Sequence, residues 1–223
     1  MDTLDFGLKP LRAYLSDDAF REACRRAERT AFSDGETLQM RGDKTVRLCL
    51  VASGAVRLGR YQHDGSFTMI SMIGTGGHFG EVGLQRKAQT HDAHAVGPTE
   101  IDVLSAAVLE DLLRQQPGFA MGLWRCNTAR LNALIELYED ARTLSIPQRV
   151  AKVLYVHAGR GSVPEGVACI QRDLAALLGV TQVSIGAALK ELEAANLAVP
   201  GYRCVRVKDK TRLGIWLRKT GAV

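Results

Sequence analysis

Residues 171–178 and 181–195 each carry the spacing of a helix, and only Gly179 and Val180 lie between them. So short a link makes the second helix turn sharply off the first. The residue types agree with that corner. Gly179 can take the left-handed conformation of the turn, and Thr181 has the hydroxyl of a good N-cap. Ala175 is small where the two axes would cross. Leu174, Leu178, Ile185, Leu189 and Leu192 would bury into one small core, leaving the other positions of the second helix facing outward, as in a helix that enters a DNA major groove. Residues 197–208 then read as a β-hairpin wing, with Arg203, Arg206 and Lys208 expected to alternate along one side. The bland alternative is a helical hairpin with no nucleic-acid role.

Charge favours the first reading. Residues 143–223 hold 12 Lys or Arg against 5 Asp or Glu, whereas residues 1–142 hold 17 against 19, within a net charge of +5. A basic C-terminal third suits a polyanionic partner.

The rest of the chain divides by periodicity. Residues 8–32 read as one or two short amphipathic helices. From Glu36 to Ser105, short apolar segments are punctuated by glycines, the pattern of an all-β jelly roll, with His63-Asp64-Gly65-Ser66 as a hairpin turn. Residues 106–114 suggest a short helix. Residues 119–144 then repeat apolar positions at Ala120, Leu123, Asn127, Leu131, Leu134, Tyr138, Ala141 and Leu144, a seam of about three heptads. Asn127 on that seam could fix register in a two-stranded pairing; packing on the chain's own barrel is the alternative. A helix over 147–158 opens with Pro147 in its first turn, and a Gly-rich loop spans 159–166.

The expected fold is therefore α+β. A double-stranded β-helix (jelly-roll) sensor occupies 1–116, a long dimerisation helix 117–145, and a winged helix-turn-helix 146–223.

Several classes of function are disfavoured. There is no apolar run near the roughly 18–20 residues of a membrane span, and the N-terminus opens with Asp2 and Asp5, which suggests a cytoplasmic protein with no membrane partner. Cys24, Cys49, Cys126, Cys169 and Cys204 are an odd number without Cys-x-x-Cys spacing, so neither a disulfide framework nor a zinc or iron–sulfur site is expected. No Ser-His-Asp elbow or P-loop is present, and His78-x-x-Glu81 lacks the spacing of a cupin metal site. An enzyme is not expected, nor a metal or cofactor.

In this order these segments resemble the cyclic-AMP receptor protein/FNR superfamily over nearly the whole chain. Gly76-Gly77-His78-Phe79-Gly80-Glu81-Val82-Gly83-Leu84 is similar to its phosphate-binding cassette, Arg149-Val150-Ala151 to its hinge, and Leu174 through Leu192 to its helix-turn-helix. The resemblance implies a ligand pocket built from Gly80, Glu81, Val82, His91, Asp92, Ala93, Leu134 and Ile135. Cyclic-AMP binders of the family carry Arg-Ser-Ala where this chain has His91-Asp92-Ala93, and Thr-Ser where it has Leu134-Ile135. Asp92 would repel a cyclic phosphate by several kcal/mol in a partly buried site, and unmet polar groups on the purine would cost ~1–3 kcal/mol each. Cyclic AMP in the usual mode is not expected. Three sensor states remain open: another small-molecule effector, no effector at all, or a haem held by one of His63, His78, His91 or His94.

The same carry-over puts Gln182, Val183 and Ala187 at base edges. Gln182 suits adenine, and Val183 and Ala187 suit a thymine methyl. Ser184 could bond base or phosphate, while Arg172, Thr181, Lys190 and Arg203 are expected at phosphates. The expected partners are double-stranded DNA at a palindromic site, a second copy of the chain through 119–144 and an unidentified effector, with RNA polymerase a further candidate. A cyclic-nucleotide-binding module acting on a protein partner is the rival from another class.

Overall fold

The structure is a computed structural model that describes residues 8–158, 166–168, 171–202 and 204–222. The chain forms two compact units, Leu8–Leu131 and residues 132–223, and the division falls inside one long helix.

In the first unit a 3₁₀ turn at Leu11–Tyr14 precedes α1 (Asp17–Arg26), whose N-cap Ser16 accepts from the Ala19 amide at 3.2 Å. Strands β1 (Glu28–Phe32), β2 (Thr37–Gln39), β3 (Arg47–Tyr61), β4 (Phe67–Gly74) and β5 (His78–Phe79) follow. Then come α2 (Glu81–Arg86), β6 (Asp92–Ser105), α3 (Ala106–Gln115) and α4 (Pro117–Thr143). All pairings are antiparallel, in the order β1-β6-β3-β4, with β2 also on β6 and β5 on β3. The hairpin turn expected at 63–66 links β3 to β4, closed by the Gln62 amide donating to the Ser66 carbonyl at 2.8 Å.

Leu48, Cys49, Leu50 and Val51 are all buried, because β3 is covered on both faces. Cys49 and Val51 join Val56, Ile73, Phe79 and Ile101 inside the barrel. Leu48 and Leu50 pack outward against Leu11, Leu109, Leu112 and Phe119 of the helical layer. A strand buried on both faces loses the period-two alternation that marks one with a wet side.

Two expectations are corrected here. Helical character was expected through residue 32, but Glu28–Phe32 is strand β1, held in register with β6 by Arg29 donating to both Asp102 carboxylate oxygens at 2.8 and 2.9 Å. The seam on α4 also shifts. Phe119, Gly122 and Cys126 are buried in the helical layer, and a Cβ on Gly122 would fall 2.4 Å from Leu15, so the helix lies tightly against the end of the N-terminal 3₁₀ turn there. Ala120, Leu123 and Asn127 are half-buried beside them, and the Asn127 side chain bonds His78 rather than lining an outer seam. The exposed apolar stripe is instead Met121, Trp124 (63% exposed), Leu131, Ile135 and Tyr138, with Thr128 in line and Leu134 beside it. The intervals of three and four survive, rotated by one position in the first half of the helix.

In the second unit α5 (Ile146–His157) starts from a capping box in which Ser145 and Gln148 satisfy each other's amides, with Pro147 in the first turn. Strand β7 (Gly166–Ala168), α6 (Gln171–Leu178), α7 (Gln182–Ala194), β8 (Ala198–Gly201), β9 (Cys204–Val207) and α8 (Lys210–Lys219) complete it. The strands form a sheet in the order β7-β9-β8. The Gly-rich loop before Gly166 lies outside the described residues, as does Cys169. Leu213 and Leu217 of α8 enter the same core as Val150, Leu154, Leu174, Ile185 and Leu189. Among the described residues no single helix is long and apolar enough to cross a membrane.

Candidate nucleic-acid interface and sensor cassette

Helices α6 and α7 meet at 108°, within the range of helix-turn-helix corners. Gly179 sits at the corner with φ +65°, a conformation that a Cβ would strain. Thr181 caps α7, its hydroxyl accepting from the Ser184 amide at 3.1 Å and lying 2.9 Å from the Ser184 hydroxyl. Leu174, Leu178, Ile185, Leu189 and Leu192 are buried as expected. Arg149 of α5 donates to the Leu178 carbonyl, tying the end of α6 to the unit's first helix.

One face of α7 stays uncovered. Gln182, Val183 (83% exposed), Ala187 and Lys190 lie on it with Ser184 half-buried among them, and Arg172 is exposed on α6. This face joins an amide, two small apolar groups and a cation, with the exposed carboxylate of Glu191 next to Lys190. On the wing, Arg206 and Lys208 share the exposed side of β9, since Val205 and Val207 point inward. Arg203, expected beside them, lies outside the described residues. Tyr202 at the hairpin turn is 92% exposed, and sequence reading gave it no role.

The first unit carries a buried polar cluster where the cassette meets α4. Gly80 caps α2 in the left-handed region, Glu81 opens the helix, and Val82 is exposed. Arg130 donates to Glu81 Oε1 at 3.2 Å and to the His78 carbonyl at 2.9 Å, and Asn127 Oδ1 lies 3.3 Å from His78 Nε2. Sequence reading missed Arg130. Its signal was phase, since Arg130 continues the buried row of Phe119, Gly122 and Cys126 at helical steps. Burial pushes the Glu81 carboxyl above the usual carboxylate range, against the pull of Arg130.

His78 is fully buried (0% exposed) and held down to about 3, first by burial and then by the Arg130 charge. This sets a pH dependence. Above pH 6.5 the ring is neutral whether the chain is folded or not. Below it the unfolded chain takes up a proton that the folded unit refuses until about pH 3. Stability is therefore complete above 6.5 and lost as pH falls, by about 2 kcal/mol between pH 6.5 and 5. Glu81 works the other way, binding its proton more readily when folded, and returns part of the loss at the acid end. Urea midpoints at pH 7 and pH 5 should differ accordingly, and His78→Gln should remove most of the difference. Equal slopes for both chains would place the acid sensitivity elsewhere.

The other cassette positions are spread out. Asp92 is buried, and its two oxygens accept from the backbone amides of Arg41 at 2.8 Å and Tyr61 at 3.4 Å. Ala93 is fully buried inside the barrel. His91 Nδ1 lies 2.8 Å from the Thr90 hydroxyl, and His94 Nδ1 lies 3.1 Å from that of Thr37. Leu134 and Ile135 belong to the part of α4 in the second unit, and both are exposed. Among the described residues no group of three or more His, Cys, Asp or Glu side chains could hold a metal ion.

Residues 29–116 match the family described as cyclic nucleotide-binding domain, and residues 148–214 the Crp-like helix-turn-helix domain. The chain is 30% identical to the cyclic AMP receptor protein of Thermus thermophilus over 192 residues, covering 83% of this chain and 86% of that protein. It is 25% identical over 189 residues to the CRP-like cAMP-activated global transcriptional regulator of Mycobacterium tuberculosis, covering 82% and 84%. A CooA structure from Carboxydothermus hydrogenoformans superposes with a TM-score of 0.74 at 15% identity, over 92% of this chain and 99% of that one, a likeness of fold alone.

Proposed function

Because the chain belongs to the cyclic-AMP receptor protein/FNR family of transcription regulators, which are not enzymes, we propose that it acts in the cytoplasm as a dimeric, sequence-specific DNA-binding regulator that does not take cyclic AMP in the usual mode. The observation that carries this reading is the uncovered face of α7, raised on a 108° corner with Gln182, Val183, Ala187 and Lys190 presented together. Gln182 reads an adenine edge, and Val183 and Ala187 touch thymine methyls. Arg172, Thr181, Ser184 and Lys190, with Arg203, Arg206 and Lys208 of the wing, hold the phosphates.

The dimer forms along α4 through Met121, Trp124, Leu131, Ile135 and Tyr138. That stripe is too apolar to leave in water, and its heptad-like intervals suit a two-stranded pairing. Two copies of α7 then meet half-sites about one helical turn apart.

Three features support the sensor's departure from cyclic AMP. Glu81 is engaged by Arg130, Asp92 sets a carboxylate where the family's binders place a serine, and Leu134 and Ile135 offer the purine no hydrogen bond. The effector, where there is one, has another chemistry.

Gel-shift titration of a DNA site selected from a random library tests this. Affinity should fall steeply with salt, and Lys190→Ala should weaken every sequence alike while reducing the log–log salt slope by about two per dimer, one phosphate contact per subunit. Cyclic AMP at about 100 µM should leave the titration unchanged, because a ligand without differential affinity shifts no equilibrium. A chain that ignores duplex DNA at low salt, or binds only when cyclic AMP is added, contradicts the reading.

A further inference from the structure

We propose that the second unit carries a binding site for a small zwitterion, an α-amino acid with a short apolar side chain, in the angle between the end of α4 and α5. A cavity of about 90 Å³ lies there, walled by Leu137 of α4, Val153 and Val156 of α5 and Leu178 of α6. Its size admits a molecule of a few heavy atoms, well below the usual 300–1,000 Å³ of cofactor pockets.

The charges around it identify the ligand. Asp140 and Lys152 both line the cavity and pair with each other at 2.6 Å, which removes them from the account. Arg149 and Glu136 remain. Arg149 is only 9% exposed, its Nη2 is spent on the Leu178 carbonyl, and its Nε is buried without a hydrogen-bond partner. Among the described residues neither Arg149 nor Glu136 has an ion-pair partner. A buried cation with an orphaned donor calls for an anion, and the open carboxylate on the same rim calls for a cation. The complement of the three features is a carboxylate on the Arg149 guanidinium, an ammonium on Glu136 and a small aliphatic group against Leu137, Val153 and Val156.

The site is separate from the DNA-reading face and from the cassette, and it goes beyond the regulator reading. It touches the corner all the same, because the guanidinium that would hold the carboxylate also holds the last carbonyl of α6, one residue before Gly179.

Isothermal titration of the full chain with L-alanine, L-valine, L-leucine, isobutyrate and isobutylamine tests the site. At least one of the three amino acids should saturate at one per chain, with isobutyrate and isobutylamine about tenfold weaker or worse, each having lost one charged contact. Glu136→Gln, on an exposed position, should weaken the amino acid about tenfold and leave isobutyrate unchanged. Val156→Phe should fill the cavity and abolish both. Saturation by none of the amino acids up to about 10 mM, isobutyrate binding as tightly as the amino acid, or indifference to Glu136→Gln each overturns the proposal. DNA binding is a separate measurement, so a chain that binds its DNA site but no amino acid loses this site alone.

Discussion

Val183→Glu leaves the fold intact and lowers affinity for the selected DNA site by at least about a hundredfold. Val183 stands clear of the core at 83% exposure, so the substitution disturbs no packing, and the unfolding free energy should hold within the small range of surface changes, about 0.5 kcal/mol. In the proposed complex the same position would lie between Gln182 and Ala187, where a carboxylate would be desolvated against base edges and surrounded by phosphates. An uncompensated buried charge of that kind costs about 3 kcal/mol or more, which is the stated hundredfold. The proposed dimer would suffer it twice. Unchanged affinity in this variant would remove the first turn of α7 from the interface and with it the assignment of Gln182 and Ala187.

Arg130→Met destabilises the first unit by about 3 kcal/mol, because it leaves Glu81 beside neutral His78 in a buried corner with no cation. Arg130 keeps part of its side chain in water, which holds the figure at the lower end for a broken buried pair. For a unit of this size the melting temperature should fall by about 10 °C. Adding Glu81→Gln should recover most of the loss, since the orphaned charge goes with its partner. Thermal unfolding of the single and double variants decides it. A double variant as unstable as the single one would mean that Arg130 stabilises through its bond to the His78 carbonyl, not through Glu81.

The parts legible in the sequence share a short range. Gly179, Thr181, Ala175 and the five apolar positions of the helix-turn-helix all act within 22 residues. Their turn chemistry and helical spacing therefore announced the corner before any tertiary contact was known. The turn at 63–66 was readable for the same reason. Where the reading failed, a distant partner decided. Glu28–Phe32 has no inward apolar alternation of its own, and it is a strand because β6 lies beside it, with Asp102 meeting Arg29 across 73 residues of sequence. On α4, two apolar rows run along one helix. Spacing alone cannot say which row faces the barrel, because both recur at three and four.

The amino-acid order by itself determined the local elements, the helical corner, the basic C-terminal third and the residue types on the outward face of α7, since helix periodicity, capping and turn preference act between near neighbours. Only the folded chain decided that Asn127 and Arg130 turn toward His78 and Glu81, that the exposed row on α4 begins at Met121 and Trp124, and that Arg149 sits buried at Leu178. Those outcomes depend on which surfaces are removed from water. That is a property of packing between segments far apart in the chain, and no window of neighbouring residues contains it.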